Sequence, residues 1–134
     1  MTMTEQFAVT NRQTGDILFT AEISVTPDME PSRKLGLAVE WAVANNISLS
    51  AADLSGADMH YADMRGANMC FANMSNAEMC DANMSNANLR GASLISADIC
   101  DADMRGANMG CADMTGADMR NADMSGADMR RCRT

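Results

Sequence analysis

Acidic residues stand at Asp58, Glu78, Asp98 and Asp118, separated by steps of twenty, and Asp81 and Asp101 repeat the same step. Asp63, Asp103 and Asp123 fall on a parallel series. Carboxylates gathered on one flank can bind a surface rich in arginine and lysine, and such binding weakens with salt. His60 is the only histidine, and it reads as a surface residue beside Tyr61 without a partner cluster. No Ser/His/Asp set, metal-ligand constellation or phosphate-cradling glycine loop stands out. The expectation is therefore a protein that is not an enzyme, with no catalytic residues, metal or cofactor.

The spacing that orders these acids is a repeat. The stretch "ADMTGADMRNADMSGADMR", from Ala112 to Arg130, returns alanine, aspartate and methionine every five residues. A helix repeats near 3.6 residues and a strand every two, so a period of five fits neither. From Ala52 to Arg131 the unit runs through sixteen uninterrupted copies, each opening on alanine, and "ISLSA" at 47–51 is a degenerate copy leading in. The third position is always aliphatic: methionine in twelve copies, leucine at Leu54, Leu89 and Leu94, isoleucine at Ile99. The second position is mostly aspartate or asparagine. Self-similarity this strict marks a solenoid.

The unit A(D/N)(L/M)xx resembles that of the pentapeptide-repeat family, over about 80 of the 134 residues. The resemblance implies an all-β solenoid, a right-handed quadrilateral β-helix with four units per coil and about four coils. Alanine and the central aliphatic residue would point inward and the other three positions outward. Methionine at most central positions departs from the family's usual leucine or phenylalanine. Each methionine would stack on another twenty residues away, a flexible and polarizable filling for a narrow shaft. Coils spaced by about 4.8 Å give a rod roughly 19 Å long. Glycines such as Gly56, Gly66, Gly106 and Gly126 close their units as corner residues.

A stack of coils needs its ends covered. Residues 1–46 are ordinary in pattern and read as that N-terminal cap, followed by the β-helix over 47–131 and a tail at 132–134. "QFAVTNRQTGDILFTAEIS" predicts a β-hairpin turning at "NRQTG". Ile17, Phe19, Ala21 and Ile23 supply one apolar face. Pro31 opens a helix whose stripe is Leu35, Ala38, Val39 and Ala42, with Trp41 at the margin and Asn45 and Asn46 ending it. This hairpin–helix arrangement also resembles that of phage and prophage proteins.

With four units per coil, residues twenty apart share a column. The column of Asp58, Glu78, Asp98 and Asp118 is acidic at every level. It and its neighbour carry nine acids against Arg65, Arg105 and Arg120, a net of -6, whereas the other two faces balance to zero. Stacked carboxylates repel by some tenths of a kcal/mol per pair. The acidic column is thus either a tolerated solvated face or one selected for binding. Cys80 and Cys100 also share a column and lie close enough to bridge. Five cysteines with no CxxC pair argue against a disulfide framework or a zinc site, and in a reducing cytosol free thiols are expected.

The net charge of -8 and pI near 4.4 disfavour nucleic acid or an anionic membrane as a direct partner. No apolar run spans a bilayer and no signal-peptide core is present, so a cytoplasmic location is expected. Some members of the resembled family imitate B-form DNA and occupy the DNA-binding saddle of type II topoisomerases. By that resemblance the expected function is a DNA-mimic inhibitor. The partner would be a basic DNA-binding protein or complex, with a phage-encoded anti-CRISPR protein acting on a CRISPR effector ranked first. A gyrase or topoisomerase IV binder of the quinolone-resistance type comes next, then a structural or scaffolding solenoid. Duplex DNA would carry about eleven charges over the rod's length, more than the rod's own net of -5, so any mimicry rests on one side. At the C-terminal coil, Arg130, Arg131 and Arg133 either keep the last edge from pairing or, as relatives dimerise through terminal coils, two chains meet there as a homodimer.

Overall fold

A computed structural model describes all residues, 1–134. From residue 52 onward the chain winds into a right-handed, four-sided β-helix. Parallel bridges join each unit's second residue to the one twenty further on, from Asp53–Asn73 through Asp113–Arg133. Asp58, Glu78, Asp98 and Asp118 therefore form one continuous column. The four-per-coil expectation is met.

The main-chain amides explain the period. In the unit opening at Ala72, Asn73 N–H donates to Ala52 O in the coil before (2.9 Å), while Met74 and Asn76 donate to Ser93 O and Ile95 O in the coil after (2.7 and 2.9 Å). The next unit's Ala77 closes a turn onto Met74 O at 3.1 Å. The fifth residue of each unit has a positive φ, for example Gly56 at 69° and Asn86 at 59°. That conformation favours glycine and asparagine. Tyr61 and Phe71 adopt it too, at 60°. The Phe71 ring lies over Gly91, where a Cβ would collide with it.

Alanine and the aliphatic residue point inward as expected. Methionines from Met59 to Met104, with Leu54, Leu89, Leu94 and Ile99, are fully buried in a single core. The degenerate unit at 47–51 joins it, since Leu49 is fully buried and donates to Asn68 O at 2.8 Å. At the other end the chain continues in register through Cys132 and Arg133. In the last coil Met119 and Met124 are only partly buried and Met129 is exposed.

The first 46 residues cover the opposite end. Strands β1 (Met3–Thr10) and β2 (Ile17–Val25) pair antiparallel, turning where the Asn11 side chain accepts the amides of Gln13 and Thr14. The alternation in β2 buries Ala21, Ile23 and Val25, while Ile17 at the turn end stays exposed. Helix α1 (Pro31–Ala44) starts on Pro31 and is ended by Asn45. It buries Gly36, Ala38, Val39 and Ala42, and Trp41 stacks on Phe19 of β2 at 6.2 Å. Both elements are bonded to the first coil. Asp53 N–H donates to Thr10 O (2.8 Å), Arg12 N–H to Ala51 O (2.8 Å) and Asp58 N–H to Ser32 O (2.9 Å).

Gly36 marks the closest approach of helix to coil, because a Cβ there would collide with the Asp58 carbonyl oxygen. Backbone cannot yield as a flexible side chain does. Gly36→Ala should destabilise the protein by about 1–3 kcal/mol through forced displacement of α1, despite alanine's better helix propensity. Chemical denaturation checks this, and an unchanged or raised midpoint would contradict it.

Candidate functional site: the acidic flank

The second residue of each unit has a local task that its charge does not reveal. In fourteen of the sixteen units its side-chain oxygen accepts the amide of the residue two further on. Ser75 donates to Asn73 at 3.1 Å and Cys100 to Asp98 at 3.2 Å in this way. That amide is the one the inter-coil ladder leaves unused, so the side chain completes the unit's hydrogen bonding. Asparagine and aspartate do this equally well. Glu78 and Ser93 make no such bond.

Several acids are then neutralised where they stand. Arg65 grips Asp63 through Nε and Nη2 at 2.8 and 2.7 Å, and Arg105, Arg120 and Arg130 hold Asp103, Asp118 and Asp128 likewise. Hydrogen bonds from those arginines keep all four carboxyls below the usual range, Asp103 and Asp128 at about 2. Asp123 and Asp113 are lowered chiefly by the hydroxyls of Ser125 and Thr115. For Asp58 burial pushes upward, but hydrogen bonds from His60 and the charges of His60 and Arg33 outweigh it.

Of the nine acids expected to form a binding face, the structure thus leaves five without an ion-pair partner among arginines and lysines: Asp58, Glu78, Asp81, Asp98 and Asp101. Asp58 lies beside His60, and Asp63, Asp103 and Asp118 are held by their own arginines. Asp123 lies 4.0 Å from Arg105. Asp81 and Asp101 are exposed at the corner and adopt positive φ (60° and 55°), which aspartate tolerates. Arg120 flanks this group from the coil beyond.

Two expectations are corrected here. Cys80 and Cys100 are bridged by a disulfide rather than free; the column sets their Cα atoms 4.8 Å apart, within bridging range. His60 is not without partners: its Nδ1 lies 2.7 Å from Asp58 Oδ1 and 3.8 Å from Glu78 Oε2. Two groups of metal-ligating side chains therefore occur where none was expected, Asp58–His60–Glu78 and Cys80–Asp98–Cys100. Both arise between successive coils. The side-chain-to-amide bonds also escaped the sequence reading, although the near-exclusive use of Asp and Asn at that position was a visible signal. No helix is long and apolar enough to cross a membrane.

The family model described as "Pentapeptide repeats (8 copies)" matches residues 39–69, 71–106 and 101–133, well over half of the chain. No curated protein sequence matches it. Among solved structures, the chain is similar to alr5209, a pentapeptide repeat protein from Nostoc Pcc 7120, at 32% identity and a TM-score of 0.53. That match covers 56% of this chain and 62% of the other. It is also similar to QnrB1, a plasmid-mediated fluoroquinolone resistance protein, at 24% identity and a TM-score of 0.55, covering 60% and 42%. The chain spans less than two thirds of the length of either structure.

If the Asp98 carboxylate serves the fold through hydrogen bonding, Asp98→Asn should leave stability unchanged and Asp98→Ala should lose about 1 kcal/mol. Equal losses in thermal or chemical unfolding would refute the distinction. The pH dependence follows from Asp103 and Asp128. A carboxyl more acidic in the fold stabilises fully above its unfolded value, and the contribution disappears as pH falls through the folded one. With an ordinary value of 3.8 and folded values of about 2, the melting midpoint should hold from neutral to about pH 4, then fall toward pH 2. A midpoint that rises over that interval would contradict this.

Proposed function

The chain belongs to the pentapeptide-repeat family, and from that premise we propose that it is a binding protein that presents one flank to the basic DNA-binding channel of another protein. The observation that carries this reading is the uneven pairing of charge. Asp63, Asp103, Asp118 and Asp128 are each held by an arginine, whereas Glu78, Asp81, Asp98 and Asp101 form a group in which none is. Main-chain geometry does not require charge at these places, since asparagine serves equally in the turns. The carboxylates act on arginine and lysine side chains of the partner, and desolvation on docking strengthens each pair relative to water.

The partner class is a cytoplasmic DNA-handling machine, either a CRISPR effector or a type II topoisomerase. The hairpin–helix cap supports the first, in keeping with a phage counter-defence role. The fluoroquinolone-resistance protein supports the second only through shared fold, at its level of identity. In this proposal the last coil meets a second copy. The amides of Met119, Asn121 and Met124 have no main-chain acceptor, and a facing coil would supply one. A specific observation also favours a purely structural solenoid: the turn-building use of the second-position acids accounts for most of them without a partner.

One variant separates the readings. Glu78→Gln with Asp81→Asn, Asp98→Asn and Asp101→Asn removes four charges while keeping the turn chemistry. Inhibition of DNA binding by a purified CRISPR effector, and of supercoiling by gyrase, should weaken at least tenfold, and the parent's inhibition should fade with added salt. A folded variant as potent as the parent, or a parent inactive in both assays, would leave the structural reading standing.

A further inference from the structure

The imidazole of His60 faces carboxylates from two successive coils. Its Nδ1 lies 2.7 Å from Asp58 Oδ1 and 3.8 Å from Glu78 Oε2, and the three donor atoms all lie within 4.8 Å of one another. A bare lone pair at Nδ1 pointing toward two anions is repulsive. The arrangement becomes attractive when Nδ1 carries the ring's proton, which the neutral imidazole can donate to Asp58, or when a metal ion shared by all three groups takes that place.

The identity of residue 78 favours the metal. The repeat places Asp or Asn at its second position, where the short side chain caps the amide two residues on. Glu78 makes no such bond, and it is the only glutamate in the solenoid. Its longer side chain reaches instead toward the coil below, where the chain's only histidine stands. The departure from the repeat thus coincides with the one place where a third donor can converge.

We propose that Asp58, His60 and Glu78 bind one divalent transition-metal ion of the zinc class. One imidazole nitrogen and two carboxylate oxygens form a donor set suited to a borderline cation. Ligand bonds of about 2.0–2.2 Å need donor atoms roughly 3.0–3.6 Å apart, which small side-chain rotations supply from the observed spacing. The side chains of Asp58, His60 and Glu78 are 30%, 37% and 59% exposed, so water reaches the remaining coordination positions. Asp58 is anchored from below, because its main-chain amide donates to Ser32 O and its carbonyl accepts Arg33 Nη1 at 3.2 Å. The other donor group, Cys80–Asp98–Cys100, has its two sulfurs bonded to each other. The ion stands at the cap end of the acidic column and cancels two of its charges, whatever that column binds.

Titration of the oxidised protein with zinc chloride, followed by calorimetry, should show one ion bound per chain. Glu78→Asn installs the residue the repeat normally uses, so it preserves the turn while removing the donor. His60→Ala removes the nitrogen. Each should weaken zinc binding at least tenfold with an unchanged circular dichroism spectrum. Cobalt chloride should give visible bands of oxygen and nitrogen ligation. Absence of zinc binding by the parent, equal binding by both folded variants, or thiolate-to-cobalt charge transfer marking cysteine ligation would each overturn the assignment.

Discussion

Everything in this rod depends on where five amides go. Within a unit one amide closes the turn, one reaches the coil before and two reach the coil after. The fifth is met by the Asp or Asn side chain of the same unit. This accounting works only if a full turn consumes twenty residues, because only then does each unit lie directly over its counterpart. The interior follows from it. Alanine is the side chain that fits beside each corner, and one aliphatic chain per side fills the shaft. Methionine suits the task because it adapts to the neighbour stacked above it.

The same accounting changes what the acids mean. Aspartate at the second position is first a turn-builder, and its charge is incidental to that role wherever asparagine alternates with it. The surface field is set by the residue at the fourth position. Arginine at 65, 105, 120 and 130 folds back on its own aspartate, whereas Cys80 and Cys100 leave Glu78 and Asp98 without such a partner. The acidic flank is therefore narrower than a count of carboxylates suggests, and a disulfide joins two coils within it.

The N-terminal segment solves a different problem. A coil end offers unpaired main chain and open core; the hairpin and helix cover the core, Thr10 and Ser32 accept amides of the first coil, and Arg12 donates to Ala51 O. Gly36 lets the helix lie directly on the coil's backbone. Its requirement comes from contact rather than from helix propensity, which would prefer almost any other residue.

Sequence alone determined the repeat, its phase, the inward-facing residues, the hairpin and the helix, since each is written in local periodicity and turn chemistry. Alignment of Asp58, Glu78, Asp98 and Asp118 followed once four units were assigned to a coil. Arg65 on Asp63 was legible in principle, because residues two apart on an extended segment point the same way. Only the tertiary structure decided that Glu78 turns toward His60, that Cys80 meets Cys100, and which acids stay unpaired. Those contacts join residues about twenty apart, and side-chain direction between coils is set by the stacked backbone, which no local pattern records.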